Sequence, residues 1–259
     1  MKRIECIIMD WAGTAVDYGC FAPVAAFVES FRAIGVPVTA AETRAHMGLT
    51  KVEEIRALFD IERVRAEFER KFGRPAGEED VQARYAEFQR VLFASLEDYT
   101  DPILGVVETI SALRAQGIRI GSTTGYTDSM MHIVAPKAAR LGYAPDFWIS
   151  PDGVGGRGRP DPYMIFENLK ALEVPSVKNA VKVGDTVSDI REGVNAGVWS
   201  VGVIEGSSVL GLSQTEYEAL TPEERRDVCR RAEETFRTAG AHFVLNDLSQ
   251  LPELIRMIG

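Results

Sequence analysis

Glu5-Cys6-Ile7-Ile8-Met9-Asp10-Trp11-Ala12-Gly13-Thr14 is a short apolar run that stops at an acid and then turns. A handful of consecutive apolar residues, too few for a helix and closed by Gly and Thr, reads as a buried parallel strand. The same pattern returns at residues 118–122, 147–150, 180–183 and 200–204. Helical periodicity separates these later runs, over 107–116, 128–141, 162–172 and 187–195. Alternation of this kind predicts an α/β fold, a doubly wound, Rossmann-like parallel sheet with right-handed crossovers. Such sheets bind ligands beyond the carboxyl ends of their strands, so the residues just after each apolar run are where chemistry is expected.

Residues 21–99 break the alternation. They offer amphipathic helical segments at 24–34, 41–46, 52–72 (with a break) and 78–96, and no good strand. Gly19 before this stretch and Thr100-Asp101-Pro102 after it have boundary chemistry. The expected organisation is an α/β core from residues 1–20 and 100–259, with an α-helical cap inserted as residues 21–99. Beyond residue 204, Ser213 and Thr221 each precede a Glu by three positions, the capping-box pattern that starts a helix. A final strand at 242–245 and a short helix close the chain.

With 259 residues, 46% of them hydrophobic, the chain can bury a sizeable core. A formal net charge of -9 argues against a nucleic-acid or anionic-membrane surface, so an anionic substrate needs a local basic pocket. No apolar run approaches the roughly 20 residues of a membrane span. Met1-Lys2-Arg3-Ile4-Glu5-Cys6 reads as the approach to a strand rather than as a signal peptide. Cys6, Cys20 and Cys229 have no metal-ligand spacing, and an odd count fits reduced thiols in the cytoplasm.

Four strand ends carry polar groups. Asp10 suits a nucleophile for phosphoryl transfer, and Gly13 and Thr14 permit a tight turn with backbone N–H groups to hold a phosphoryl oxygen. An acid there equally suits the N-cap of the following helix. At Gly121-Ser122-Thr123-Thr124-Gly125-Tyr126, a hydroxyl followed by glycine opens a helix, the arrangement of an anion site or of an ordinary capped turn. Arg159, with Arg157 as its neighbour, supplies a forked cation. Asp185 and Asp189, four residues apart after a buried strand, suit a hard divalent cation such as Mg²⁺ or a helix cap; Asp185 is the better direct ligand. Lys51, in Met47-Gly48-Leu49-Thr50-Lys51, adds an amine able to form an imine with a carbonyl substrate. Gly153-Val154-Gly155-Gly156-Arg157-Gly158 matches G-x-G-x-x-G, but it stands late in the core and Arg159-Pro160 follows it. Dinucleotide binding is not expected there.

Together these residues resemble the haloacid dehalogenase superfamily, with Asp10, Thr124, Arg159 and the Asp185/Asp189 pair on its four motifs. More narrowly the chain is similar to the phosphonatases. The run from Asp10-Trp11-Ala12-Gly13-Thr14 to Cys20-Phe21-Ala22-Pro23 carries that likeness, with Met47-Gly48-Leu49-x-Lys51 and Gly121-Ser122-Thr123-Thr124-Gly125-Tyr126. Ala12 is informative: most superfamily phosphatases carry an acid there for an alkoxide leaving group, and phosphonatases do not. The resemblance implies hydrolysis of the C–P bond of phosphonoacetaldehyde, with Asp10 and Lys51 catalytic. It implies substrate contacts from Thr124, Gly125, Tyr126, Arg159, Met47 and Cys20. Mg²⁺ would sit on Asp10, the Ala12 carbonyl and Asp185, with Gly13, Asp189 and Glu54 in support.

The likeness also implies a homodimer formed through the cap, which the apolar content of 24–31 permits. Lys51 must be uncharged to attack, which enclosure by Met47 and Leu49 favours. One position departs from the pattern: many phosphonatases carry histidine three residues after this lysine, and here it is Glu54. A carboxylate there favours a protonated lysine unless it also moves the proton. The alternatives are another carbonyl phosphonate, a small phosphate ester as for a phosphatase of this superfamily, or a non-catalytic phospho-ligand module. His46 and His132 are expected to be structural or surface residues, and Trp11 to belong to the core or to a cap contact.

Overall fold

The computed structural model describes residues 4–259; Met1, Lys2 and Arg3, part of the N-terminal reading above, lie outside the described residues. The chain opens with β1 (Cys6–Met9), and five helices follow it: α1 (Phe21–Arg32), α2 (Ala40–Arg44), α3 (Lys51–Asp60), α4 (Glu62–Phe72) and α5 (Glu78–Ser95). Alternation then resumes with α6 (Val106–Ala115), β2 (Arg119–Thr123), α7 (Asp128–Arg140), β3 (Phe147–Ile149) and α8 (Tyr163–Ala171). It continues through β4 (Ala180–Gly184), α9 (Val187–Ala196) and β5 (Trp199–Val203). Last come α10 (Gln214–Ala219), α11 (Pro222–Ala239), β6 (Phe243–Leu245) and α12 (Leu251–Ile258).

The six strands form one parallel sheet of order β3-β2-β1-β4-β5-β6. Side chains of β1 alternate between two packed faces, as strand geometry requires. Ile7 and Met9 join the cluster that holds Val106, Ile110 and Leu113 of α6. Cys6 and Ile8 join the one that holds Ile165 and Leu169 of α8. The chain leaves β1 toward β2 on one side and β4 on the other, which makes the end of β1 a switch point. Met9 is level with Ser122 and Val183. Asp10, Thr123 with Thr124, and Asp185 therefore emerge along one edge.

No strand occurs within 21–99 among the described residues. The helices there have their own aromatic interior: Phe27 stacks on Phe88 at 4.2 Å, and Phe59 packs against both Phe31 and Phe68. The long helical pattern of 52–72 breaks at Ile61, whose backbone is extended between α3 and α4. Capping boxes form at Ser213 with Glu216 and at Thr221 with Glu224, where sequence spacing placed them. Val24, Phe27 and Phe31 are buried within this chain, and Ala25, Val28, Glu29 and Arg32 remain on the outer side of α1. Trp11 is core, edge-on to Tyr143. Among the described residues no helix is long and apolar enough to cross a membrane.

Candidate active site

A cavity of about 20 Å³ lies over the end of β1, between that edge of the sheet and the helices of 21–99. Asp10, Ala12, Thr124, Gly125, Tyr126 and Arg159 line it from the sheet side. Cys20, Met47 and Lys51 line it from the other. The space suits about one water molecule, so the two sides are closed on each other. An open groove of about 710 Å³ adjoins it and shares Met47 and Thr186. That groove is lined by Arg44, His46 and Arg191 and by no carboxylate. His46 thus borders the groove rather than the cavity, and His132 is exposed on α7, edge-on to Trp148.

Two glycines make the closure possible. At Gly48, with φ +91°, a Cβ would lie 2.5 Å from Thr186 Oγ1 and 2.9 Å from Ser188 Cβ, so only glycine lets the Met47–Leu49 loop seat on the start of α9. Ser188 Oγ then donates to Met47 O at 3.4 Å. At Gly13, with φ +87°, a Cβ would lie 2.2 Å from Asp185 Oδ2. This corrects the expectation that Gly13 and Thr14 present N–H groups to a ligand. Both amides bond within the turn, Gly13 N to Val16 O and Thr14 N to Trp11 O, because the turn is tight enough to consume them. Gly13 instead clears room for a carboxylate.

Asp185 lies beneath the cavity, held by Thr14 Oγ1 at 3.1 Å and by the Ser208 amide at 2.8 Å. Burial, with Asp10 and Asp189 beside it, pushes its carboxyl well above the usual range. Ligand atoms of Asp10, Asp185 and Asp189 all lie within 4.8 Å of one another. Glu192 is buried next to them, so four buried carboxylates face two buried cations, Arg159 and Lys182. With all four acids ionised the excess is two negative charges on hard oxygen donors, which a divalent cation neutralises, and the raised Asp185 carboxyl marks the lack of a positive charge beside it. The residues fit a metal. Asp189 is the most committed of the three acids: it caps α9 by accepting from the Thr186 amide and hydroxyl, and it meets Lys182 at 2.8 Å. Despite burial, Arg159 and Lys182 hold its carboxyl below the usual range.

Arg159, rather than Arg157, reaches the site. Its Nη2 donates to Asp10 Oδ1 at 2.5 Å, whereas Arg157 is exposed and stacks on Tyr163. Thr124 is buried and accepts from the Tyr126 amide, in a turn leading into α7.

Lys51 is the first residue of α3, whose N-cap Thr50 forms a capping box with Glu53. Its side chain is buried, and Nζ donates to both oxygens of Glu54, at 3.1 and 3.2 Å. Glu54 Oε1 also accepts from the Gly48 amide at 3.0 Å. The rings of Phe27 and Tyr126 flank Nζ at 5.6 and 5.8 Å. Burial pushes the Glu54 carboxyl up to about 7, against the pull of Lys51. Burial also pushes the Cys20 thiol and the Tyr126 hydroxyl well above their usual ranges, so both stay neutral.

Sequence reasoning missed Asp17, Thr123, Lys182 and Glu192. Asp17, at φ 54°, accepts from the amides of Phe21 and Ala22 and so caps α1 where the chain leaves the sheet. A lysine within the apolar run of β4 was the available signal for Lys182.

A buried Asp at the switch point, an acid cluster suited to a metal and an arginine on that Asp carboxylate match the layout expected of a haloacid dehalogenase-type hydrolase. The haloacid dehalogenase-like hydrolase model matches residues 4–197. A phosphonoacetaldehyde hydrolase from Lysinibacillus sphaericus is 50% identical over 256 residues, 99% of this chain and 95% of its own. One from Bacteroides fragilis is 49% identical over 258 residues, covering 100% of this chain and 98% of its own. A crystal structure of a phosphonoacetaldehyde hydrolase-like protein from Oleispira antarctica superposes with a TM-score of 0.95 at 36% identity, over 98% of this chain and 92% of that one. The chain belongs to the haloacid dehalogenase-like hydrolases and, within them, to the phosphonoacetaldehyde hydrolase family.

Proposed function

We propose that this chain hydrolyses the C–P bond of phosphonoacetaldehyde to acetaldehyde and phosphate, with Lys51 acting at the aldehyde carbon and Asp10 at phosphorus. The observation that carries the reading is that one closed cavity is lined by both, with no acid at position 12 to serve an oxygen leaving group. The relatives named for this reaction support it.

Glu54 takes the proton of Lys51, and the free amine adds to the aldehyde. The carboxylic acid returns its proton to the carbinolamine hydroxyl, which departs as water and leaves a protonated imine on Lys51. The imine accepts the C–P bonding electrons as an enamine while phosphorus passes to an Asp10 oxygen. Water then hydrolyses the aspartyl phosphate; protonation and hydrolysis of the enamine release acetaldehyde. A Glu54 carboxyl near 7 suits it to give and take a proton at neutral pH. Arg159 orients Asp10, and with Thr124 and Gly125 it faces the phosphonate. Met47, Cys20 and Tyr126 enclose the carbon end and exclude water. Asp10, the Ala12 carbonyl and Asp185 would hold Mg²⁺, with Asp189 in support, and its charge would offset repulsion between Asp10 and the phosphonate.

In the same proposal residues 21–99 act as a cap that opens over a core of 1–20 and 100–259, since the cavity is too small to admit substrate as it stands. The enzyme works in the cytoplasm as a homodimer through the cap, which analytical ultracentrifugation tests. The reaction is tested by phosphate release from phosphonoacetaldehyde with and without Mg²⁺, and by borohydride reduction of an adduct onto Lys51. Turnover without any trappable adduct would falsify the imine route. Good turnover of phosphate esters, with none of phosphonoacetaldehyde, would replace the reading with a phosphatase.

A further inference from the structure

Lys182 is a charged residue in the middle of a buried strand, fully inaccessible, and none of the chemistry above uses it. A buried ammonium is costly unless its partners satisfy it, and here there are three. Its Nζ donates to Thr123 Oγ1 at 2.8 Å, and it meets Asp189 Oδ1 at 2.8 Å and Glu192 Oε2 at 3.3 Å. Arg159 uses the same three atoms. It meets Thr123 Oγ1 at 2.9 Å, Asp189 Oδ1 at 3.0 Å and Glu192 Oε2 at 3.1 Å. Thr123 Oγ1 donates in turn to Glu192 Oε2 at 3.0 Å.

Two cations therefore share two carboxylates through one hydroxyl, and the four charges cancel. Helix α9 brings the acids here because it packs unusually close to β4: a Cβ at Gly193 would lie 3.1 Å from Lys182 Cβ. Asp189 and Glu192, one turn apart, then both fall on the lysine. The consequence lies at Arg159. Its Nε and Nη1 are held by acids, and Nη2 alone points to Asp10.

We infer that Thr123, Lys182 and Glu192 are positioning residues that aim the Arg159 guanidinium at Asp10 and the phosphoryl group. Lys182 neutralises the acids that would otherwise draw Arg159 away, and the Thr123 hydroxyl fixes the spacing. This rests on the assignment of Asp10 and Arg159 to the phosphoryl end of the reaction. It predicts a division of labour, because imine formation at Lys51 does not involve the network.

Thr123→Val removes the hydroxyl while keeping shape and charge. Its kcat for phosphate release should fall about ten- to a hundredfold, the scale of one misplaced charge-assisted hydrogen bond. Borohydride trapping of the phosphonoacetaldehyde adduct should stay within about twofold of wild type, and Thr123→Ser should restore the rate. Orthovanadate, a probe of the phosphoryl site alone, should bind Thr123→Val and Lys182→Met correspondingly more weakly. The charge-balanced double variant K182M/E192Q should bind it better than Lys182→Met. Equal loss of trapping and phosphate release in Thr123→Val, or loss of neither, overturns the inference, as does unchanged orthovanadate affinity in Thr123→Val. If wild type neither traps nor cleaves phosphonoacetaldehyde, the functional reading fails, and orthovanadate affinity still decides the network.

Discussion

The two walls of the cavity are built on opposite electrostatic plans. On the sheet side, Asp10, Asp185, Asp189, Glu192, Arg159 and Lys182 form a dense web in which most charges have two or more partners. On the side of α3 the cavity has one ion pair among the described residues, Lys51 with Glu54, beside Phe27 and Met47 and faced by Tyr126 from the sheet side. A web resists change in any single charge, which suits a fixed receptor for a phosphoryl group and a divalent cation. An isolated pair in apolar surroundings has nothing to stop a proton crossing it, which suits an amine that must be neutral at one step and cationic at the next.

The sharpest break in that comparison is to remove each wall's proposed reactive group. Asp10→Asn should reduce phosphate release to background while the Lys51 adduct remains trappable with borohydride; Lys51→Met should lose both. If Asp10→Asn also loses the adduct, the two ends are not separable.

Next in size is Glu54→Gln, which removes the proposed proton acceptor of Lys51. The expected loss in kcat/KM is on the order of 10²-fold or more. Wild type should lose activity as pH falls through about 7, where Glu54 becomes protonated and can no longer act as a base. That acid limb should be missing from the kcat/KM profile of the variant, and an unchanged limb would assign it to another group.

A smaller effect is expected at Asp17. Its carboxyl is pushed from 3.8 up to about 7, first by burial and against the two amide hydrogen bonds from α1. An acid raised on folding takes up a proton as the chain folds. Its contribution to stability is full below about 4 and is lost as pH rises through about 7. Between these limits the urea midpoint of wild type should fall relative to that of Asp17→Asn; parallel curves would rule Asp17 out. The smallest effect belongs to Thr50→Ala, which removes the cap that starts α3 at Lys51 and should cost roughly 1 kcal/mol by urea denaturation.

Much of this was legible in the chain. The apolar runs lie within a residue or two of the observed strands, since parallel strands buried on both faces leave little ambiguity of pattern. The proposed nucleophile, amine, arginine and metal acids were legible because each follows such a run or starts a helix. What escaped has a common physical cause. Asp17 reads as an ordinary loop acid until its two amide partners are seen. Lys182 is marked only as a lysine inside an apolar run, and Glu192 has no local signal, because the partners of both come from other elements. The turn at Gly13 and Thr14 was misread because composition shows that a tight turn exists, not which amides it uses up. Nor could pattern choose between Arg157 and Arg159, two residues apart with the same side chain.

By itself the sequence determined the order of strands and helices, the helical insertion after β1 and the residue types at the strand ends. Those follow from local periodicity and capping, which act over a few residues. Only the tertiary structure decided that Asp10 meets Arg159 across 149 positions and that Lys182 shares its acids with that arginine. It likewise decided that the Lys51 loop closes on α9 through Gly48. These depend on sheet register and close backbone approach, through which distant residues become neighbours and burial makes each unpaired charge too costly to leave alone.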